Sequence, residues 1–409
     1  MILILLTAPL TLLFRARRFE ELVPVSLFSA ILVLYFFAMF QQLRAGAIAV
    51  LVLAIAGFAL FLYRVLARKD RDALHRFLSP GIAAYAALGI GAFVVTSGLV
   101  AIVDNDSFCH WALVVKNMVL FNALGNASGS TAVFQSYPPA VSLLQRWLML
   151  LSGGYHQGRN YAGVALFSVT ITAPALRATS WKRPLQMALI TLLLFLCPIV
   201  IFNNNYATLQ VDSLIGMLGA LFLFTYFTNR KDERYTLVML ALTGTILSLT
   251  KTFGTVFLCI VGAIALCDTL FLQRKTLVAQ LGAKKVTRGI LFVMLGALFG
   301  VVSWAIYTKV TPITTMAQTT SGAMEGLRAL LASPAEFFSG YRKDVLFQFV
   351  NEIFSATGYR FIQLSYAGWM LLLVVPWLIL ALKGKPEKRR GYALLAGGLS
   401  DRFGRKRLL

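Results

Sequence analysis

Long, unbroken apolar runs dominate this chain. They fall near 1–14, 23–41, 46–66, 79–103, 161–177, 184–202, 210–228, 235–250, 252–272, 289–307 and 367–383, and a further one begins after 391. Most have the roughly 17–25 residues that an α-helix needs to cross a bilayer. A β-barrel is excluded, because its strands alternate apolar and polar positions. The pattern predicts an all-α, polytopic integral membrane protein. The first run, MILILLTAPLTLLF, lacks the basic segment of a signal peptide and reads as a first, short helix.

The segment PPAVSLLQRWLMLLS (138–152) is apolar but barely long enough to cross. The basic connections decide how to read it. Arg15, Arg17 and Arg18 follow the first run, and Arg64, Arg68, Lys69, Arg71 and Arg76 follow the third. Later connections carry Arg177, Lys182 and Arg183, then Arg230, Lys231 and Arg234, then Arg274, Lys275, Lys284, Lys285 and Arg288, then Lys383 to Arg390. If 138–152 crosses, every basic connection after it changes side. If it does not, all of them share the cytoplasmic side, as the positive-inside bias requires. The expectation is therefore about 11 transmembrane helices, an outside N-terminus, and a re-entrant or surface-lying helix at 138–152. Three features face outward: a loop of about 55 residues (104–160), the hairpin NNNYATLQ (203–210) and a second long loop (308–366).

Composition agrees with the pattern. Of 409 residues, 58% are hydrophobic and 13% charged, and mean hydropathy is +0.76. The net charge of +22 suggests nucleic acid at first sight, but the positive residues cluster between apolar runs, so no nucleic-acid partner is expected. The four cysteines have no metal-binding spacing, and three lie in apolar runs, where cysteine is a small hydrophobe. No P-loop, no GxGxxG fingerprint and no HExxH motif occurs, so no nucleotide cofactor or zinc site is expected.

The densest polar chemistry beside an apolar run is VDNDSFCHWALVVKNM (103–118). On an α-helix over 106–122, Asp106, His110 and Asn117 share a narrow arc, while Trp111, Val115, Met118 and Val119 lie opposite. One reading is an amphipathic helix resting on the membrane, anchored by Trp111. The other makes Asp106 a general base at the bilayer edge, with His110 orienting it or sharing the proton and Asp104 as a second candidate. FQSYPPAVSLLQRW comes next on the same loop; its two prolines start a helix. Asp212 opens VDSLIGMLGALFLF, and Lys251 lies in LSLTKTFG between two apolar runs, against the positive-inside trend. Ionisable residues bordering a span are functional hypotheses by default, and Lys251 suits a phosphate at the interface. The competing readings are an N-cap for Asp212 and a snorkelling Lys251. An enzyme with chemistry at the outer face and no nucleotide site needs an activated donor from the membrane, and a polyprenyl-phosphate sugar meets that need.

DSFCHWALVVK (106–116) and FQSYPP (134–139) together resemble the GT-C glycosyltransferase superfamily, in particular bacterial members with D-x-F-S-H-W-x-x-x-x-K and Y-P-x-G stretches. Protein O-mannosyltransferases carry an analogous acidic motif followed by His-Pro-Pro-Leu, on two jutting helices of the first large outer loop. The resemblance implies that Asp106 activates or orients the acceptor. His110, Trp111 and Lys116 match neighbours in that motif, and Tyr137 and Pro138 match the second. Asp212 and the T-K-x-x-G around Lys251 resemble further recurrent elements, with Lys251 and Lys116 holding the donor phosphate. Cys109 stands where Ser is usual and Ala140 where Gly is usual. Three spans precede the acidic loop instead of one, so the likeness covers 79–383, after N-terminal helices at 1–78. The basic tail 384–409 reads as truncated relative to such proteins.

The implied function is transfer of a sugar from a lipid-linked donor to a cell-envelope acceptor on the extracytoplasmic face of the inner or plasma membrane. Its partners are membrane lipids, the donor and the acceptor. Some GT-C proteins use a divalent cation, but Asp104 and Asp106 alone do not make a metal site. Two other classes compete: a transporter or flippase of an envelope precursor, and a non-catalytic assembly protein with a degenerate site.

Overall fold

A computed structural model describes residues 2–99, 106–125, 129–150, 153–200, 205–228, 233–311, 328–359 and 362–365. The chain divides into two compact units, Met1–Met316 and Ala317–Leu409. The first is helical, in chain order α1 (Ile2–Leu13), α2 (Phe19–Met39), α3 (Leu43–Leu66), α4 (Arg71–Phe77), α5 (Pro80–Ser97), α6 (Ala112–Phe121), α7 (Ala140–Leu150), α8 (Gln157–Thr172), α9 (Pro184–Val200), α10 (Asp212–Thr228), α11 (Glu233–Thr250), α12 (Thr252–Cys267), α13 (Arg274–Leu281) and α14 (Ala283–Val310). In the second unit the described residues form a short helix, Pro334–Phe337, a longer one, Tyr341–Phe354, and an antiparallel hairpin pairing Ala356–Tyr359 with Ile362–Ser365.

Among the described residues, six helical stretches are long and apolar enough to cross a membrane: Phe19–Met39, Leu43–Leu66, Arg71–Ser97, Gln157–Ala178, Thr252–Leu272 and Ala283–Val310. Others are apolar but shorter, among them Ile2–Leu13, Pro184–Ile199 and Asp212–Thr228. The apolar run at 367–383 and Arg230 and Lys231 lie outside the described residues, as do most residues of the 308–366 loop before 328.

Side-chain contacts define the two ends of the helical unit. At one end Arg17 pairs with Glu21 at 2.8 Å and lies over the Tyr235 ring at 4.4 Å. The Tyr235 hydroxyl donates to the Glu21 carbonyl, and Arg177 approaches Glu21 at 3.5 Å. Glu20 is fully buried beside this cluster and accepts from the Ser79 hydroxyl. Buried carboxylates are costly unless paired and hydrogen-bonded, which accounts for the arginine and hydroxyl partners gathered on FEEL at the mouth of α2. At the other end, the Gln41 amide bridges from α2–α3 to α14 and α6: it donates to the Tyr307 hydroxyl at 2.7 Å and accepts from the Leu124 N–H at 3.3 Å. Arg17, Arg177, Arg234 and the arginines and lysines of 274–288 are thus carried at one end of the helices, and the 106–150 segment at the other.

α7 has 11 residues, about 16 Å of helix, which cannot cross a hydrocarbon core of about 30 Å. The sequence allowed a re-entrant or a surface-lying helix here. In the structure Ala140 through Trp147 are all buried, packed among α6, α8 and α2. The chain returns to the same end after α7: an added Cβ at Gly158, in the first turn of α8, would sit 2.5 Å from the Ser97 carbonyl that closes α5.

α11 and α14 make the most extensive helix pair of the unit. Gly289, Gly296 and Gly300 of α14 face α11, and an added Cβ at Gly300 would lie 2.2 Å from Ser248 Oγ and 2.9 Å from the Thr245 carbonyl. Thr245 Oγ1 reaches across to the Gly296 carbonyl at 2.7 Å. Small residues that admit close backbone approach drive helix association where water cannot.

Gly300→Leu is expected to lower stability by about 1–3 kcal/mol, the usual cost of overpacking, read as an earlier thermal melt in detergent. Gly216→Leu is the control, since nothing lies within 4 Å of a Cβ there.

Candidate functional site

The acidic segment begins with a turn of π-helix, Ser107–Trp111, in which the Ala112 N–H reaches back five residues to the Ser107 carbonyl. α6 continues from it and ends at Asn122 in the left-handed region, φ 51°. A π turn carries an extra residue and rotates the side chains after it, and such turns recur at functional sites. Regular α spacing put Asp106, His110 and Asn117 on one arc, facing outward or into a cavity. Asp106 is exposed, but His110 and Asn117 are buried, at 2% and 5% exposure. Val115 and Met118 are buried too, against protein, while Phe108, Lys116 and Leu120 are exposed. The segment is therefore not a helix laid flat with its imidazole turned outward. It is packed into the bundle, chiefly against α7.

What buries His110 is the FQSYPP stretch. The imidazole lies edge-on to Trp111 (4.7 Å), Phe134 (5.4 Å) and Tyr137 (5.1 Å), and Phe134 stacks on Tyr137 at 4.9 Å. The Phe134 N–H donates to His110 Nδ1 at 3.3 Å, and the Val133 N–H to the Cys109 carbonyl. Three further bonds hold the stretch in place. Asn117 donates to Ser130 Oγ at 2.9 Å, Gln135 to the Ser130 carbonyl at 2.9 Å, and the Trp304 indole to the Ser136 carbonyl at 2.8 Å. From α7, Arg146 donates to the Met118 carbonyl at the end of α6. Burial pushes its guanidinium down to about 10, with Arg44 acting in the same direction.

α11 and α12 are joined by Lys251 alone, an extended residue at the N-cap of α12. Gly254 permits this tight reversal: a Cβ there would sit 2.1 Å from the Leu247 carbonyl. The reversal aims the Lys251 ammonium at Asp212, the first residue of α10, with Nζ 2.7 Å from Oδ1. The same nitrogen lies 5.8 Å from the Trp111 ring centroid and 5.7 Å from that of Tyr137, within cation–π range. Asp212 is 58% exposed, so this ion pair is worth at most about 1 kcal/mol and can be exchanged for another anion. Desolvation raises the Tyr137 phenol; Lys251 opposes this, and Asp212 and Asp106 both add to it. Both carboxylates therefore lie close enough to this phenol for their charge to be felt.

Trp111, Tyr137, Asp212 and Lys251, from four separated segments, thus converge on one spot, and Asp106 precedes Trp111 by the single π turn. Asp104 lies outside the described residues. Lys116 is exposed further along α6 and, among the described residues, has no ion pair. No three His, Cys, Asp or Glu side chains gather into a cation site among the described residues. Phe134 and Trp304 organise the spot, and the sequence did not single them out. An isolated Trp near the end of an apolar helix reads as an interfacial anchor, and its bond to Ser136 spans 168 residues.

Burial, then the charge of Lys251, lowers the His110 imidazole to about 3. The folded state therefore binds fewer protons than the unfolded state between about pH 3 and the unfolded value near 6.5. Stability conferred here is complete above about pH 6.5 and falls as pH drops toward 3, by up to about 1.4 kcal/mol per pH unit. Melting curves from pH 7.5 to 4.5 should show that loss, and His110→Gln should lack this component; an identical pH slope in the variant would count against a buried neutral imidazole.

No family model matches the chain, and neither does any curated protein or solved structure.

Proposed function

We propose that this chain is a membrane-embedded glycosyltransferase of GT-C type that uses a polyprenyl-phosphate sugar as donor. The observation that carries this reading is the convergence of Asp106, Tyr137, Asp212 and Lys251 at one end of the helices. An inverting transfer needs a carboxylate on the acceptor side of the sugar and a cation on the side of the leaving phosphate. Asp106 takes the proton of the acceptor hydroxyl as that oxygen bonds to the anomeric carbon. The bond from that carbon to the donor phosphate breaks on the opposite side, and the phosphate leaves with its electron pair. Lys251 stabilises the leaving phosphate as a point charge. Asp212 occupies the ammonium in the absence of donor and yields it to the phosphate. His110, buried and neutral, is a positioning residue, since it braces Trp111 and Tyr137 beneath Lys251.

In this reading the chain crosses the bilayer about eleven times, α7 is a re-entrant element, and the Lys251 end faces outside the cytoplasm. The basic residues gathered at the opposite end support that orientation by the positive-inside bias. The acceptor is a cell-envelope polymer, lipid or protein. Transport is disfavoured because Asp106, Asp212 and Lys251 all lie at helix termini, whereas transport sites lie mid-membrane on broken helices.

Asp106→Asn should lower the turnover of labelled polyprenyl-phosphate sugar into envelope acceptor by about 10²–10⁴-fold at unchanged expression, the usual worth of a general base. Lys251→Ala should chiefly raise the donor KM, and Lys251→Arg should restore part of it. Full turnover by Asp106→Asn would remove the catalytic assignment.

A further inference from the structure

Arg146 is a buried cation with no acidic partner among the described residues. It is 4% exposed on α7, and its guanidinium donates to the Met118 carbonyl at 3.0 Å and to Asn122 Oδ1 at 3.5 Å. Those bonds cap the C-terminal end of α6, but both acceptors are neutral. Arg17 shows the contrast: similarly buried, it holds the Glu21 carboxylate at 2.8 Å.

A second guanidinium adds to the imbalance. Arg44, in the first turn of α3, is exposed and has no ion pair among the described residues. Just before it, Gln41 accepts from the Leu124 N–H, shortly after the Asn122 that Arg146 contacts. α3 also touches α7, and the Arg44 charge acts on Arg146, adding to the effect of burial. The Arg146 guanidinium, lowered to about 10, still carries its charge at neutral pH. Two positive charges therefore share the α3–α6–α7 junction. The C-terminus of α6 offers about half a negative charge, and the N-terminus of α3 returns about half a positive one. That N-terminus has no side-chain cap at Gln42. The sum stays close to +2. Buried charge is normally paired, and arginine does not escape the cost by losing its proton.

We propose that Arg44 and Arg146 bind a phosphomonoester group, free or on a lipid headgroup, at the end of the helices that carries Lys251. Guanidinium forks donate paired hydrogen bonds to phosphate oxygens. A phosphomonoester has oxygens enough for two forks, and as a dianion it cancels both charges. A single carboxylate would cancel one. The site does not rest on the proposed transfer reaction.

The test is the melting temperature of the delipidated full chain in detergent, at about pH 8, as inorganic phosphate replaces chloride at constant ionic strength. The parent should melt about 3 °C higher at about ten times the apparent dissociation constant. Arg44→Gln should lose most of that shift. Without phosphate it should melt no lower than the parent, because it removes a like charge. Salting-out moves both proteins alike, so their difference isolates the site. Lys182→Gln, an exposed cation beyond Arg177 at the opposite end, should keep the parental shift. Arg146→Gln should lose it, but that change also uncaps α6, so the Arg44→Gln result decides. A second arm uses phosphatidylcholine nanodiscs with and without phosphatidic acid. If a headgroup supplies the phosphate, phosphatidic acid raises the melt of the parent above that of Arg44→Gln, and added phosphate then has no effect. If the phosphate comes from solution, it keeps its effect in both kinds of nanodisc. Equal shifts of parent and Arg44→Gln in both arms would overturn the proposal and leave Arg146 as a cap of α6 alone.

Discussion

The contact between α11 and α14 is the constraint on which the rest of this molecule depends. It is a backbone-to-backbone approach made possible by Gly296 and Gly300 against Ala241, Thr245 and Ser248. In a medium without a hydrophobic driving force, such contact is what holds two helices together. Its consequences reach both ends. At one, α14 delivers the Trp304 indole to the Ser136 carbonyl, and α11 ends where Lys251 must turn. At the other, α14 starts beside Glu233, so that Lys285 pairs with it. Between them, α12 is left standing off α14, and an apolar groove opens.

The two ends hold charge in different ways. At the Arg17 end, Glu20 and Glu21 are buried and held by arginines, hydroxyls and a tyrosine, an arrangement that is costly to break. At the Lys251 end, the ion pair is half exposed and rests on aromatic faces. The first arrangement fixes where α2 enters the bundle. The second leaves an ammonium accessible and exchangeable, as a group that meets an incoming anion must be.

His110 shows how far periodicity carries. Its spacing from Asp106 placed it on one face of an ideal helix; the structure opens that helix with a π turn and buries the imidazole under a later loop. Such a turn leaves no mark in composition, because it depends on what packs around it, here Phe134 and Tyr137 from a loop more than twenty residues on. α7 was ambiguous by length, and only the distribution of basic residues spoke against its crossing; the structure makes it an 11-residue helix packed among α6, α8 and α2.

The sequence by itself determined that the chain is helical and apolar enough for a membrane. It also marked where most helices begin and end, and it singled out Asp106, Asp212 and Lys251 as residues out of place. Those are properties of local periodicity and transfer free energy, which each segment carries alone. Only the tertiary structure decided that these residues meet, that His110 supports and does not face outward, and that Trp304 fastens the loop. Those outcomes depend on contacts between segments dozens to more than a hundred residues apart. No local pattern encodes them, because each needs the close packing of helices to bring the partners within hydrogen-bond reach.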